Sequence, residues 1–254
     1  LQPALHKHAA LRCMQYERYK SEDFRLEFSK TLLEAKLKNC RTLMLKHRRS
    51  HSGFECGMEL EAISLETRKL AFCTGLDGLM GHEGVAAHWY FTAFARMVRR
   101  EFRFEGRNRR PPKDPVNAML SLGYTLLYNE CMTAVESIGL DPNIGFLHAI
   151  EYGRSSMACD MVEEFRWLID GMVLGLINRG MVHPHDFTVT EDKGCRMSDS
   201  ARKCFYATYE ERIRTEVDSQ GTSVSYRRLL GRQSEHLARV VKGDEGRYQA
   251  YLHQ

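Results

Sequence analysis

Between residues 116 and 138 apolar side chains recur almost all round a helical repeat: Met119, Leu120, Leu122, Tyr124, Leu126, Leu127 and Met132 leave no continuous polar face. A helix of that kind needs apolar neighbours on every side, so the segment predicts a central element with further helices packed around it. Gly139, Asp141 and Pro142 stop it and turn the chain. A second helix is expected over 156–179, where Met161, Phe165, Leu168 and Met172 recur at spacings of four, three and four. Helical patterns also cover 3–19, 23–48 (with Phe24, Phe28, Leu32, Ala35 and Asn39 on one stripe), 56–70, 198–215 and 225–242. A further helix opens at Met80-Gly81-His82-Glu83, after a loop from Thr74 to Leu79, and runs to Val98. Loose alternation over 180–196 suggests a ribbon. The expected fold class is mainly α: helices of an arm over 1–72 packed on a multi-helix lobe over 73–254, with at most a small β-ribbon near 186–196.

A chain of 254 residues can bury a sizeable core. Its 37 Lys+Arg against 33 Asp+Glu leave only a mild positive excess, so affinity for a polyanion has to come from local clustering. The eight cysteines include no C-x-x-C pair, which argues against a zinc knuckle and a thioredoxin-like couple and suits buried thiols of a reducing cytoplasm. No apolar run reaches the length of a membrane span and the first residues lack a secretory signal. The chain opens on Leu rather than Met, and is therefore expected to be a piece of something longer.

The densest constellation of reactive groups follows the central helix. Gly145-Phe146-Leu147-His148 delivers one imidazole, and the next helix carries Asp160, Glu163 and Glu164 with Arg166 one turn on. Acids three and four apart on a helix crowd one another unless a cation neutralises them, so a hard divalent ion is one reading and a solvated acidic face with a structural histidine the simpler one. Glu83, among Gly81, Gly84, Ala86 and Ala87, reads either as a ligand with room beside it or as an acid favoured by a helix N-terminus. The pair His82-Glu83 does not make a zinc-protease site. That site needs a histidine four residues after the first, where Ala86 stands, and His88 falls about 240° round the helix from His82. The basic run Arg96, Arg99, Arg100, Arg103, Arg107, Arg109, Arg110 and Lys113 reads as a solvated face or as a phosphate track between the two candidate ligand segments. Asn117, near the start of the central helix, can cap it or reach toward the site.

In order, Gly81-x-Glu83-Gly84 with Ala86-Ala87 and Tyr90-Phe91, then Pro111-Pro112-Lys113-Asp114-Pro115-Val116-Asn117, Gly123-Tyr124-Thr125-Leu126-Leu127-Tyr128, Gly145-Phe146-Leu147-His148 and Asp160-Met161-Val162-Glu163-Glu164-Phe165-Arg166 resemble the CRISPR-associated spacer integrase family. Lys36-Leu37-Lys38-Asn39 and Tyr226-Arg227-Arg228 extend the likeness over essentially the whole chain. The resemblance implies that 73–254 is a helical catalytic domain in which Glu83, His148 and Glu163 bind Mg2+ or Mn2+, with Asp160 as an auxiliary catalytic residue. It implies DNA contacts at His88, Tyr90, Arg107, Arg109, Arg110, Lys113, Asn117 and Arg166. His88 stands where the family often has Arg, which puts that contact in question. It also implies a cytoplasmic homodimer bridged to a small ferredoxin-like partner subunit, working on spacer DNA and the CRISPR repeat, and a β-domain or fused domains upstream. The expected activity is spacer insertion by transesterification with DNA endonuclease activity. A stand-alone metal-dependent nuclease and a catalytically silent DNA-binding subunit are the alternatives. Because the nucleophile of such an insertion is a DNA 3′-hydroxyl, no protein nucleophile motif is required.

Overall fold

A computed structural model of the chain describes residues 8–99, 101–108, 111–190, 194–219 and 221–253. The order is α1 (Ala9–Lys20), α2 (Glu22–Ser50), α3 (Gly57–Lys69), α4 (Leu76–Met97), α5 (Pro115–Ile138), α6 (Ser156–Asn178), a hairpin of β1 (Phe187–Thr190) and β2 (Gly194–Met197), α7 (Asp199–Arg214), a second hairpin of β3 (Glu216–Ser219) and β4 (Thr222–Ser225), and α8 (Tyr226–Lys242). Mainly α architecture with an antiparallel ribbon near 186–196 is what the periodicity predicted. Both hairpins are isolated two-stranded ribbons, with Phe187 opposite Met197 and Glu216 opposite Ser225.

Two differences from the expected elements have local causes. Helix α4 begins at Leu76 rather than Met80, because Gly78 and Gly81 are tolerated within its first turns and Asp77 favours the N-terminal end. The second hairpin was not foreseen: its residues alternate weakly, and its turn includes Gly221 at φ 76°.

Helix α6 is the core. It is buried on nearly every face, packs along α5 and α2, and touches α7; α2 in turn lies on α4, and α4 on α3. The stripe Met161, Phe165, Leu168 and Met172 is at most 1% exposed. Close approach of α5 to α6 depends on Gly123, where a Cβ would stand 2.4 Å from Ile169 Cγ2. The ends are set by capping: Ser21 accepts from the Phe24 amide at the start of α2, and Asp114 accepts from the Asn117 amide beside Pro115 at the start of α5. All eight cysteines are free thiols. Among the described residues no helix is long and apolar enough to cross a membrane.

Candidate metal and polynucleotide site

Three helices bring the central charges together. Lys36 comes from α2, Glu83 from the N-terminal half of α4 and Glu163 from α6; Lys36 Nζ lies 2.5 Å from Glu83 Oε1 and 2.5 Å from Glu163 Oε2. Their side chains are 13%, 15% and 5% exposed, so the cluster is nearly sealed from water. Arg166, one turn beyond Glu163, holds it bidentately, with Nε 2.8 Å from Oε2 and Nη2 2.7 Å from Oε1. Burial alone would push the Glu163 carboxyl up; the Arg166 and Lys36 charges outweigh it and hold the group well below the usual carboxylate range. Glu163 is therefore ionised at any physiological pH.

His148 is presented by its neighbour. Asp160, fully buried, accepts from the amides of Phe146 (2.6 Å) and Leu147 (3.0 Å) through Oδ2, and from the His148 amide (3.0 Å) through Oδ1. The same Oδ1 lies 2.7 Å from His148 Nδ1. A proton on Nδ1 makes Nε2 the lone-pair nitrogen, which is the tautomer a metal ligand needs. Gly145 permits this turn: a Cβ there would stand 2.9 Å from Asp160 Oδ2 and 2.8 Å from the carbonyl carbon of Ser156. Asp160, expected as a catalytic auxiliary, has both oxygens engaged by the loop and by His148.

The donors suit a hard divalent cation. Two carboxylates, one of them firmly ionised, converge on one positive charge, and Asp160, one turn before Glu163 on α6, holds the His148 imidazole. As the side chains stand, no group of three His, Cys, Asp or Glu among the described residues is close enough to hold an ion, and the Lys36 ammonium bridges Glu83 and Glu163.

Beside this cluster opens a cleft of about 590 Å³ with Lys36, Glu83, His88, Arg107 and Arg166 in its walls. Its floor is a buried network that sequence reasoning missed. Asp170 of α6 accepts from the hydroxyls of Tyr90 (2.7 Å) and Tyr124, and burial pushes its carboxyl up despite those bonds. The Arg166 and Arg107 guanidinium groups lie 4.7 and 5.2 Å from the Tyr124 ring centre, so the floor fixes the cations above it. A larger opening of about 970 Å³ lies at the other end of α4, around His47, Phe54, Arg96 and Arg99. None of the three candidate ligands lines it, whereas Glu83 lines the smaller cleft.

The expected DNA contacts separate into groups. His88 and Lys113 are exposed, and Arg107 and Arg166 are half-buried in the cleft wall. Tyr90 is 2% exposed and Asn117 fully buried. Asn117 accepts from Arg107 Nη1 (2.6 Å) and the Asn108 amide (3.0 Å) and donates to the Gly106 carbonyl (2.9 Å) and to Asp114 (2.6 Å). It braces the loop that carries Arg107 rather than facing a ligand. Arg109 and Arg110 lie outside the described residues. Lys36 is the other residue missed at the site. Its signal was a lysine on an otherwise buried face of α2, one turn from Leu32, Leu33 and Cys40.

Glu164, adjacent to Glu163, points the other way and secures the C-terminal segment. It accepts from Tyr248 Oη (2.7 Å), Gln233 Nε2 (2.7 Å) and the Tyr251 amide. Asn39 completes the clasp by donating to the Glu164 and Tyr251 carbonyls and accepting from the His253 amide, while the His253 ring stacks 3.8 Å from Trp167. Burial pushes the Glu164 carboxyl up to about 7, from 4.5, against the pull of the hydrogen bonds from Tyr248, Tyr251 and Gln233. Between those values the folded chain retains a proton that the unfolded chain releases. The contribution of this group is thus complete below about pH 4.5 and is lost as the pH rises through about 7. The thermal midpoint is expected to fall between about pH 5 and pH 8, with a shallower slope in Glu164→Gln, as scanning calorimetry across that range will read. An identical slope in the variant would remove Glu164 as the cause.

The family model for CRISPR associated protein Cas1 matches residues 1–211. A Cas4/Cas1 exonuclease–endonuclease fusion of Geobacter sulfurreducens is 39% identical over 97% of this chain; the chain spans only 46% of that relative's length. Among solved structures, a casposase bound to integration product superposes with a TM-score of 0.89 at 25% identity, over 98% of this chain and 69% of that one. A Cas6-RT-Cas1–Cas2 complex superposes with a TM-score of 0.88 at 25% identity, over 100% of this chain and 28% of that one.

Proposed function

Since this chain belongs to the CRISPR-associated Cas1 family, we propose that it is the catalytic part of a CRISPR adaptation integrase that joins DNA 3′ ends to a phosphodiester of the repeat by divalent-metal-dependent transesterification. The observation that carries the reading is the pair Glu83 and Glu163, drawn from separate helices onto one cation beside a basic cleft. Glu83, Glu163 and His148 would hold Mg2+ or Mn2+, which when bound supplies charge neutralisation at the scissile phosphate and at the departing oxygen.

The chain's own groups do the rest. Arg166 fixes both oxygens of Glu163 in direction, and Asp160 keeps the Nδ1 proton of His148 in place so that Nε2 stays available. Arg107, Arg166 and Lys36 face the cleft and orient the polynucleotide backbone, so that the attacking 3′-hydroxyl lies in line with the bond that breaks. The incoming 3′-oxygen forms a bond to phosphorus while the target's P–O3′ bond breaks, and the proton lost by the first hydroxyl is balanced by the one the departing oxygen gains. One phosphodiester replaces another without covalent protein chemistry. Work as a homodimer with a small ferredoxin-like subunit, in the cytoplasm, belongs to the same proposal. The partner subunit in that reading draws support from the Cas6-RT-Cas1–Cas2 complex among the structural neighbours.

Water in place of the 3′-hydroxyl would make the same site a nuclease. A labelled 3′-hydroxyl donor incubated with a repeat duplex and Mn2+ is expected to yield joined product of increased length. Cleavage without joining would assign hydrolysis as the activity, and absence of both would leave DNA binding alone.

A further inference from the structure

We infer that Lys36 is a resident counter-ion: it holds Glu83 and Glu163 together before metal enters, and moves to the polynucleotide phosphate when the metal takes its place. The inference rests on the ligand assignment above. Its basis is the position of Nζ, 2.5 Å from each carboxylate in a nearly water-free cluster. Two carboxylates this close repel one another, and the Lys36 ammonium offsets that repulsion until a metal replaces it.

The charges decide which group leaves. Two carboxylates and the two cations Lys36 and Arg166 sum to zero, so a divalent ion entering the same space adds an unbalanced double positive charge. Both oxygens of Glu163 are already engaged, and an oxygen cannot fully serve an ammonium and a metal from the same direction. Arg166 is a rigid fork held through two bonds from the next turn of the same helix. Lys36 is a single point charge on a flexible stem, and is the weaker hold. It already lines the cleft with Arg107 and Arg166, so leaving the carboxylates carries its ammonium into the space where a phosphate supplies the missing negative charge. Metal and DNA then bind with positive coupling, each favouring the state the other needs.

The test is Mn2+ binding to the full chain, followed by the paramagnetic resonance of free Mn2+, with and without a short duplex carrying 3′ overhangs. In the wild type, DNA is expected to tighten Mn2+ binding about tenfold. Lys36→Met is expected to bind Mn2+ roughly tenfold more tightly than wild type without DNA, with most of the DNA-dependent gain gone. Equal or weaker Mn2+ binding by a folded Lys36→Met, or an undiminished DNA effect, overturns the displacement. Lys36→Gln, which removes the charge but keeps a donor, gives the same reading should the methionine variant fail to fold. Glu83→Gln and Glu163→Gln in parallel are expected to lose Mn2+ binding. If both retain it, the ligand assignment itself fails and the displacement falls with it, an outcome distinct from failure in the Lys36 variants alone.

Discussion

Glu83→Gln, Glu163→Gln and His148→Ala are each expected to lower strand transfer by about a thousandfold or more while leaving the helical circular dichroism essentially unchanged. The size of the effect follows from what each donor does. The reaction places negative charge on oxygens that, in a nearly sealed cluster, only a correctly held cation can neutralise, and the amide of Gln keeps the shape of Glu while removing its charge. Helicity should survive because none of the three side chains belongs to the apolar core that α6 organises. Glu163→Gln, rather than Ala, is the informative change at that position: truncation would leave Lys36 and Arg166 facing a void, and lost stability would then obscure lost chemistry. Joined product from a labelled 3′-hydroxyl donor, with Mg2+ and with Mn2+, is the measurement. Substantial transfer by all three variants would reject the ligand set.

The second large effect is on the fold and the site together. Asp160→Ala removes the acceptor of three backbone amides and one imidazole, those of Phe146 and Leu147 buried and those of His148 partly so, and leaves them without this partner. Each buried donor so stranded costs about 1–3 kcal/mol before relaxation, and a net loss of about 4 kcal/mol lowers the midpoint of a chain this size by about 10 °C. Asp160→Asn is expected to be milder in stability, since one oxygen remains, but comparably damaging to strand transfer. Its amide donates where His148 Nδ1 must donate, which turns the imidazole or shifts its proton. Thermal scans of both variants beside strand-transfer rates check the pair. A variant that keeps the wild-type midpoint would show that water or a neighbour takes over the loop's amides.

How much of this was legible in advance depended on the kind of signal. The extents of α5, α6, α7 and α8 followed closely from periodicity and from Gly139 as a stop, because an apolar stripe at helical spacing has one way to be buried. The start of α4 and the β3–β4 hairpin did not, since their glycines and polar alternation fit several backbone conformations equally well. At the site, Glu83, His148 and Glu163 could be named from motif likeness and residue type. That Asn117 braces a loop and Tyr90 supports Asp170 could not, because a buried polar residue and an exposed one are spelled alike.

The amino-acid sequence by itself determined the helical character of this protein and the family motifs that mark its ligand candidates, since spacing along a chain and side-chain chemistry are properties of the chain alone. The central place, expected for the helix over 116–138, went to α6, because Thr125, Asn129, Thr133 and Glu136 turn one face of α5 to solvent. Which acid meets which cation was decided only in three dimensions. Asp160, Glu163 and Glu164 look like one acidic patch in sequence, yet they serve the His148 loop, the Lys36 bridge and the C-terminal clasp respectively. Successive helical positions point in different directions, and partners as remote as Lys36 and Glu83, 47 residues apart, are brought within reach by helix packing rather than by spacing.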